Sequence, residues 1–111
     1  MKNIFSTISI ATSEGRYFFR PEEIVRLEAS SNYTKIYFSN KTKMVTAKVL
    51  KEFVLMLKPF GFVRTHRTHL VNRQHILCVT PDGNIIMKDA SVAEISRRMK
   101  SGVMKVLENA A

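Results

Sequence analysis

Tryptophan is absent, cysteine occurs once, and glycine and proline occur only four and three times in 111 residues. A single cysteine excludes a disulfide framework, so a fold of this length must be held by its own core. Cys78 lies in the apolar run "HILCVT", which predicts a buried, inert thiol suited to a reducing cytoplasm. So little glycine and proline excludes collagen-like and linker-like sequence, and the chain has no low-complexity tract or internal repeat. No apolar run approaches the length of a membrane span. The opening "MKNIFSTISIATSEG" interrupts its apolar residues with Ser and Thr, which argues against a signal peptide.

Acidic residues are also scarce, with 9 Asp and Glu against 18 Lys and Arg and a net charge of +9. Folding does not require that excess, so an anionic partner is expected. The excess is local. Residues 1–34, 35–75 and 76–111 carry net charges of 0, +8 and +1, and the central segment sets nine basic residues against Glu52 alone. A face that needed only solubility would mix the two signs.

Short β-branched and aromatic runs, separated by turn-forming residues, fill the first half of the chain. Strands are expected at residues 3–11, 16–19, 23–30, 33–38 and 43–47, broken by "SEG", "RPEE", "SSN" and "SNK". The period then changes. In "AKVLKEFVLMLKPFG", Leu50, Phe53, Val54 and Leu57 form a helical stripe that ends at Pro59 and Gly61. "FVR" begins a strand and "THRTHLVN" reads as a strand broken by a tight turn. "HILCVT" and "NIIMK" form a hairpin about "PDG". A last helix follows, with Met99, Val103, Val106 and Leu107 on its stripe, Ser96 as N-cap and Gly102 weakening it. The expectation is one mainly-β domain, residues 1–111, with about two helices.

The polar residues offer few enzymatic options. His66, His69 and His75 lack the carboxylates or further cysteines of a metal site, and in a strand the odd separation of His66 and His69 would put them on opposite faces, so they could share a metal only if the backbone turns there. No nucleophile stands beside a base, and no glycine-rich loop cradles phosphate. Neither an enzyme, a metal nor a cofactor is expected. Arg64, Thr65, His66, Arg67 and Thr68 instead carry donors for phosphate oxygens or base edges. Asn32 and Asn72 are amides of the kind that pair with adenine, although Arg64 and Asn72 read equally well as residues that hold local turns. Arg97 and Arg98 are placed in the first turn of the last helix, where the dipole disfavours cations but a phosphate would be well received. "SSNYTK" is a polar turn exposing Asn32, Tyr33, Thr34 and Lys35, on the kind of loop that carries recognition residues.

Three of these stretches together resemble the LytTR family, the DNA-binding output domains of bacterial response regulators of the LytR/AgrA type, over about residues 8–107. Phe62, Val63, Arg64, Thr65, His66, Arg67, Thr68, His69, Leu70, Val71 and Asn72 follow the family pattern F-x-R-x-H-R-S-x-[IL]-V-N. "IVRLEASSNYTKIYF" resembles its Glu-bearing strand pair, and "ISRRM" the start of its last helix. Thr68 stands where Ser is usual, and His69 where an aromatic or apolar residue is common. The resemblance implies a mainly-β fold of three small sheets whose loops, rather than a recognition helix, enter successive major grooves. It carries base contact onto Thr34 and Lys35, onto Arg67 and onto Arg98, with Asn32, Arg64, His66 and Arg97 as neighbouring DNA-binding candidates. It further implies a cytoplasmic transcriptional regulator in a two-component system, acting on double-stranded DNA at repeated half-sites. Such a domain is monomeric or paired on DNA and is served by a receiver or sensor kinase pathway on another chain. Members are commonly fused to a receiver or sensor, so this chain reads as a stand-alone domain or a fragment of a longer regulator. An RNA-binding module using the same basic face is the alternative; it would need exposed aromatics, whereas most Phe and Tyr here alternate as core residues.

Overall fold

The computed structural model describes residues 6–109, which form ten strands, two helices and short 3-10 turns. The strands are β1 (Ile8–Thr12), β2 (Gly15–Phe19), β3 (Ile24–Ser30), β4 (Tyr33–Phe38), β5 (Lys43–Thr46), β6 (Phe62–His66), β7 (His69–Asn72), β8 (Ile76–Val79), β9 (Asn84–Met87) and β10 (Val92–Glu94). Helix α1 spans Leu50–Leu57 and α2 spans Lys100–Glu108. All pairings are antiparallel, in three sheets ordered β1-β2, β5-β4-β3-β7-β6 and β10-β9-β8. A mainly-β fold with three small sheets and two helices is therefore what the sequence builds. Residues 3–5 of the first expected strand lie outside the described residues.

The five-stranded sheet is the middle layer, because its central strands are buried on both faces. Successive residues of β3 and β7 point to opposite sides. Ile24, Leu27 and Leu70 join Phe53 and Leu57 of α1 and Ile8 and Ile10 of β1 in one core. Val25 and Val71 join Ile85, Met87 and Ala93 of the three-stranded sheet and Val103 of α2 in a second. Each fully buried aliphatic side chain is worth about 1.5–3 kcal/mol. The core is thus divided into two clusters, one on each face of the shared sheet. Arg26 is drawn into the second side at 7% exposure and is compensated there. It pairs with Glu28 at 2.8 Å, donates to Ser91 Oγ at 3.0 Å and lies 4.0 Å over the Tyr37 ring.

Three expectations are corrected. β10 was not foreseen, because three residues are too few to show a period. The regular part of α2 begins at Lys100, so Arg97 and Arg98 occupy a hydrogen-bonded turn before it. Ser96 still closes that turn, its hydroxyl accepting the Met99 N–H at 3.1 Å. Cys78 is exposed rather than buried. β8 is an edge strand with a bulge between Ile76 and Cys78, and the outer face of its sheet is uncovered, so Leu77 and Cys78 both reach solvent.

Candidate nucleic-acid interface

The three stretches singled out by sequence lie on three neighbouring loops. The first is the β3–β4 hairpin, whose turn is made by Ser31 at φ 58°. Asn32 and Tyr33 are exposed at its tip, and Lys35 is half-buried on β4 opposite Glu28 of β3. Thr34 does not belong with them. It is fully buried, and its hydroxyl donates to the Lys48 carbonyl at 2.7 Å, so it supports the loop from inside.

The second is the turn Arg67–Thr68 between β6 and β7, set by the pairing of His66 with His69. A bulge between Arg64 and His66 turns Thr65 inward. Thr65 is fully buried and donates to the Glu94 carbonyl at 2.8 Å, so its hydroxyl is not free for a phosphate. Arg64 is half-buried and donates to the Arg67 carbonyl at 2.7 Å, which makes it a brace for the turn. Asn72 is likewise structural. It is buried, its amide nitrogen donates to the Ile24 carbonyl at 2.9 Å, and its oxygen accepts the Gln74 N–H at 3.0 Å. Arg67 remains exposed, with no side-chain partner among the described residues.

The third is the turn carrying Arg97 and Arg98, both exposed and without side-chain partners among the described residues. Arg97 borders a groove of about 420 Å³ together with His66, Asp82, Glu94 and Lys100. Arg98 borders a second, of about 400 Å³, with Arg64 and the apolar Val63 and Val103. Lys100 was not singled out from the sequence. Its signal was a base four residues beyond Ser96, placed on the face that turns toward Arg97.

Main-chain hydrogen bonds join the loops. The Thr68 carbonyl accepts the Ala29 N–H at 2.8 Å, which ties the central turn to the base of the first hairpin. The Thr65 carbonyl accepts the Ser96 N–H at 2.8 Å, which ties it to the third loop. Arg67 therefore stands between Asn32 and Lys35 on one side and Arg97 and Arg98 on the other, on backbone tied to both neighbouring loops. A row of exposed cations spread over three loops suits an extended polyanion better than a small substrate.

The local titrations follow from these contacts. Burial holds the His69 imidazole below its usual value of 6.5; Glu28 opposes that shift, while Arg26 and His66 add to it. Its Nδ1 is buried without a partner. The Asp82 carboxyl at the groove rim is held below its ordinary range, first by the Thr80 hydroxyl that donates to it. Among the described residues, no three His, Cys, Asp or Glu side chains come together as a metal site. No helix among them is long and apolar enough to cross a membrane.

Comparison with known proteins points the same way. A solved structure described as the LytTr DNA-binding domain of a methyl-accepting/DNA response regulator from Bacillus cereus superposes with a TM-score of 0.79. It is 24% identical and the match covers 92% of this chain and 96% of that one, which establishes a common fold. No curated protein matches the chain. The family model for the LytTr DNA-binding domain matches residues 14–108, which include all three loops, and the chain belongs to that family.

Proposed function

We propose that this domain binds double-stranded DNA sequence-specifically as the output element of a bacterial transcriptional regulator, its three loops entering successive major grooves along one side of the duplex. The observation that carries the reading is the position of Arg67. It is exposed, unpartnered and fixed by main-chain bonds between two further basic loops. Arginine forms bidentate contacts with guanine, and an arginine with nothing else to hold is free to make one. Arg98 and Lys35 take the flanking base-edge roles, with Asn32 and Arg97 beside them. Lysines of the central segment contribute phosphate contacts that position the protein without reading sequence. A receiver or sensor kinase pathway on another chain would control occupancy, and pairing on repeated half-sites would raise affinity. The description of the Bacillus cereus structure as a response regulator supports that placement.

The test is selection of duplexes from a random pool, then anisotropy titration of the enriched duplex and a scrambled control at two salt concentrations. Wild type should prefer the enriched duplex. Arg67→Ala should lose about 5- to 150-fold of that preference, the equivalent of one bidentate base contact at about 1–3 kcal/mol. An equal loss on both duplexes would make Arg67 a phosphate contact. One feature favours RNA: Tyr33, at the tip of the first loop, is 53% exposed, as a base-stacking residue would be. Tighter binding of single-stranded RNA than of the selected duplex would establish that alternative.

A further inference from the structure

The β6–β7 turn lacks the usual means of closing a connection so short. Two-residue hairpin loops ordinarily use positive φ and residues such as Asn and Gly. Arg67 and Thr68 are neither of these, and neither has a positive φ. The turn is closed from the side. The Thr68 amide donates to His66 Nδ1 at 3.1 Å, and the Thr68 hydroxyl lies 2.8 Å from the same nitrogen. An amide N–H only donates, so this contact requires an Nδ1 that carries no proton. The chain closes other turns in this way, at Thr12, Asn40, Thr46, Asn72 and Asp89, whose side chains accept the N–H two residues on. Those acceptors are hydroxyls, amides and a carboxylate. Among these turns of the described residues, only the acceptor at His66 is an imidazole, the group that exchanges its proton near neutral pH.

We propose that His66 is a positioning residue for Arg67: its neutral imidazole fixes the turn that presents Arg67, and a proton on Nδ1 releases the turn, so that specific recognition weakens on acidification. The inference rests on the DNA-binding reading above. His69 on β7 faces the imidazole with ring centroids 5.5 Å apart, and Glu28 pairs with His69 from β3. Asp82, Glu94, Arg97 and Lys100 face it across the groove, and Arg64 reaches its carbonyl at 3.4 Å. Added protons also make the whole surface more cationic, which strengthens sequence-independent binding. The two effects have opposite signs. A fall in discrimination without a fall in binding to scrambled duplex is therefore the signature of the turn.

Asparagine carries its side-chain oxygen where histidine has Nδ1, whereas glutamine places its polar end where histidine has Nε2. His66→Asn keeps the acceptor and loses the titration, and His66→Gln loses the acceptor. We would titrate the duplex enriched by wild type, and its scrambled form, at about pH 8 and about pH 5.5, the range over which imidazoles gain a proton. Thermal unfolding of each variant would be followed alongside. The wild-type preference should fall about 5- to 10-fold toward acid, as expected for one lost hydrogen bond. His66→Asn should hold its preference at both pH values, and His66→Gln should start low and stay there. A wild-type preference that is flat with pH, or a His66→Gln protein that matches wild type, overturns the proposal. Nitrogen-15 spectra of the imidazole provide a readout without DNA: a bare Nδ1 and a Thr68 amide protected at pH 8 are expected, and an Nδ1–H tautomer overturns the proposal whatever the duplex assays give. Failure of wild type to enrich any duplex would instead overturn the DNA-binding reading, with the tautomer deciding the role of His66.

Discussion

Replacing Asn72 with alanine should make the domain unfold more easily while leaving its choice of duplex intact. Asn72 is 1% exposed and makes three hydrogen bonds: to the Ile24 carbonyl at 2.9 Å, to the Pro21 carbonyl at 3.4 Å, and from the Gln74 N–H at 3.0 Å. Alanine leaves the Ile24 carbonyl without this donor, at about 1–3 kcal/mol for a buried polar group stranded without a partner. The Gln74 amide lies at the exposed start of a 3-10 turn and can turn to water, so its loss costs about 0.5–1.5 kcal/mol. Together they cost about 1.5–4.5 kcal/mol. A domain of roughly this size loses about 4 °C of Tm per kcal/mol, so the midpoint should drop by about 6–18 °C. Thermal circular dichroism measures the shift, and anisotropy below both midpoints measures duplex preference. A drop of under about 2 °C would show that the amide does not hold β7 to β3. A folded Asn72→Ala protein that no longer discriminates between duplexes would show that the amide reads a base.

Two further outcomes follow from burial. Cys78 is exposed at the edge of the three-stranded sheet, so an aromatic disulfide reagent should titrate one thiol in native buffer at a rate close to that in denaturant; protection would mean that the sheet face is covered in solution. Burial lowers the folded pKa of His69, so the unfolded chain takes up a proton there first. The stabilisation is complete above about 6.5, the unfolded value, and is lost as the pH falls through the folded one. Tm should decline on acidification and His69→Phe should flatten that decline, whereas an unchanged slope would assign the effect to other groups.

Much of this fold was legible because the chain states its periods clearly. Strands β3, β4 and β5 lie within a residue of where β-branched runs bounded by Asn, Ser and Pro placed them. The stripe Leu50, Phe53 and Leu57 is the buried face of α1. The tight turn read in "THRTHLVN" lies between His66 and His69, which pair across it. Thr34 was misread although its signal was present, since it shares the alternation of Ile36 and Phe38 and so points inward with them. Cys78 could not have been placed from sequence. An apolar run reads as buried, and only the packing of the three sheets shows that one face of β8 has no neighbour. The role of Asn72 was equally hidden, because its partners lie about fifty residues away, at Pro21 and Ile24. The three signatures fall on three neighbouring loops; the inward hydroxyls of Thr34 and Thr65 and the brace from Arg64 emerged only with side chains in place.

The ties between the loops have an evolutionary consequence. Those at Ala29–Thr68 and Ser96–Thr65 run from main chain to main chain, so they place few demands on side-chain identity. Asn32, Arg67, Arg97 and Arg98 are exposed outside that framework. After gene duplication, the tip residues are free to diverge while the frame that spaces them is inherited unchanged. On the DNA-binding reading proposed above, new duplex preferences would then become accessible by single substitutions at the tips while the frame stays folded.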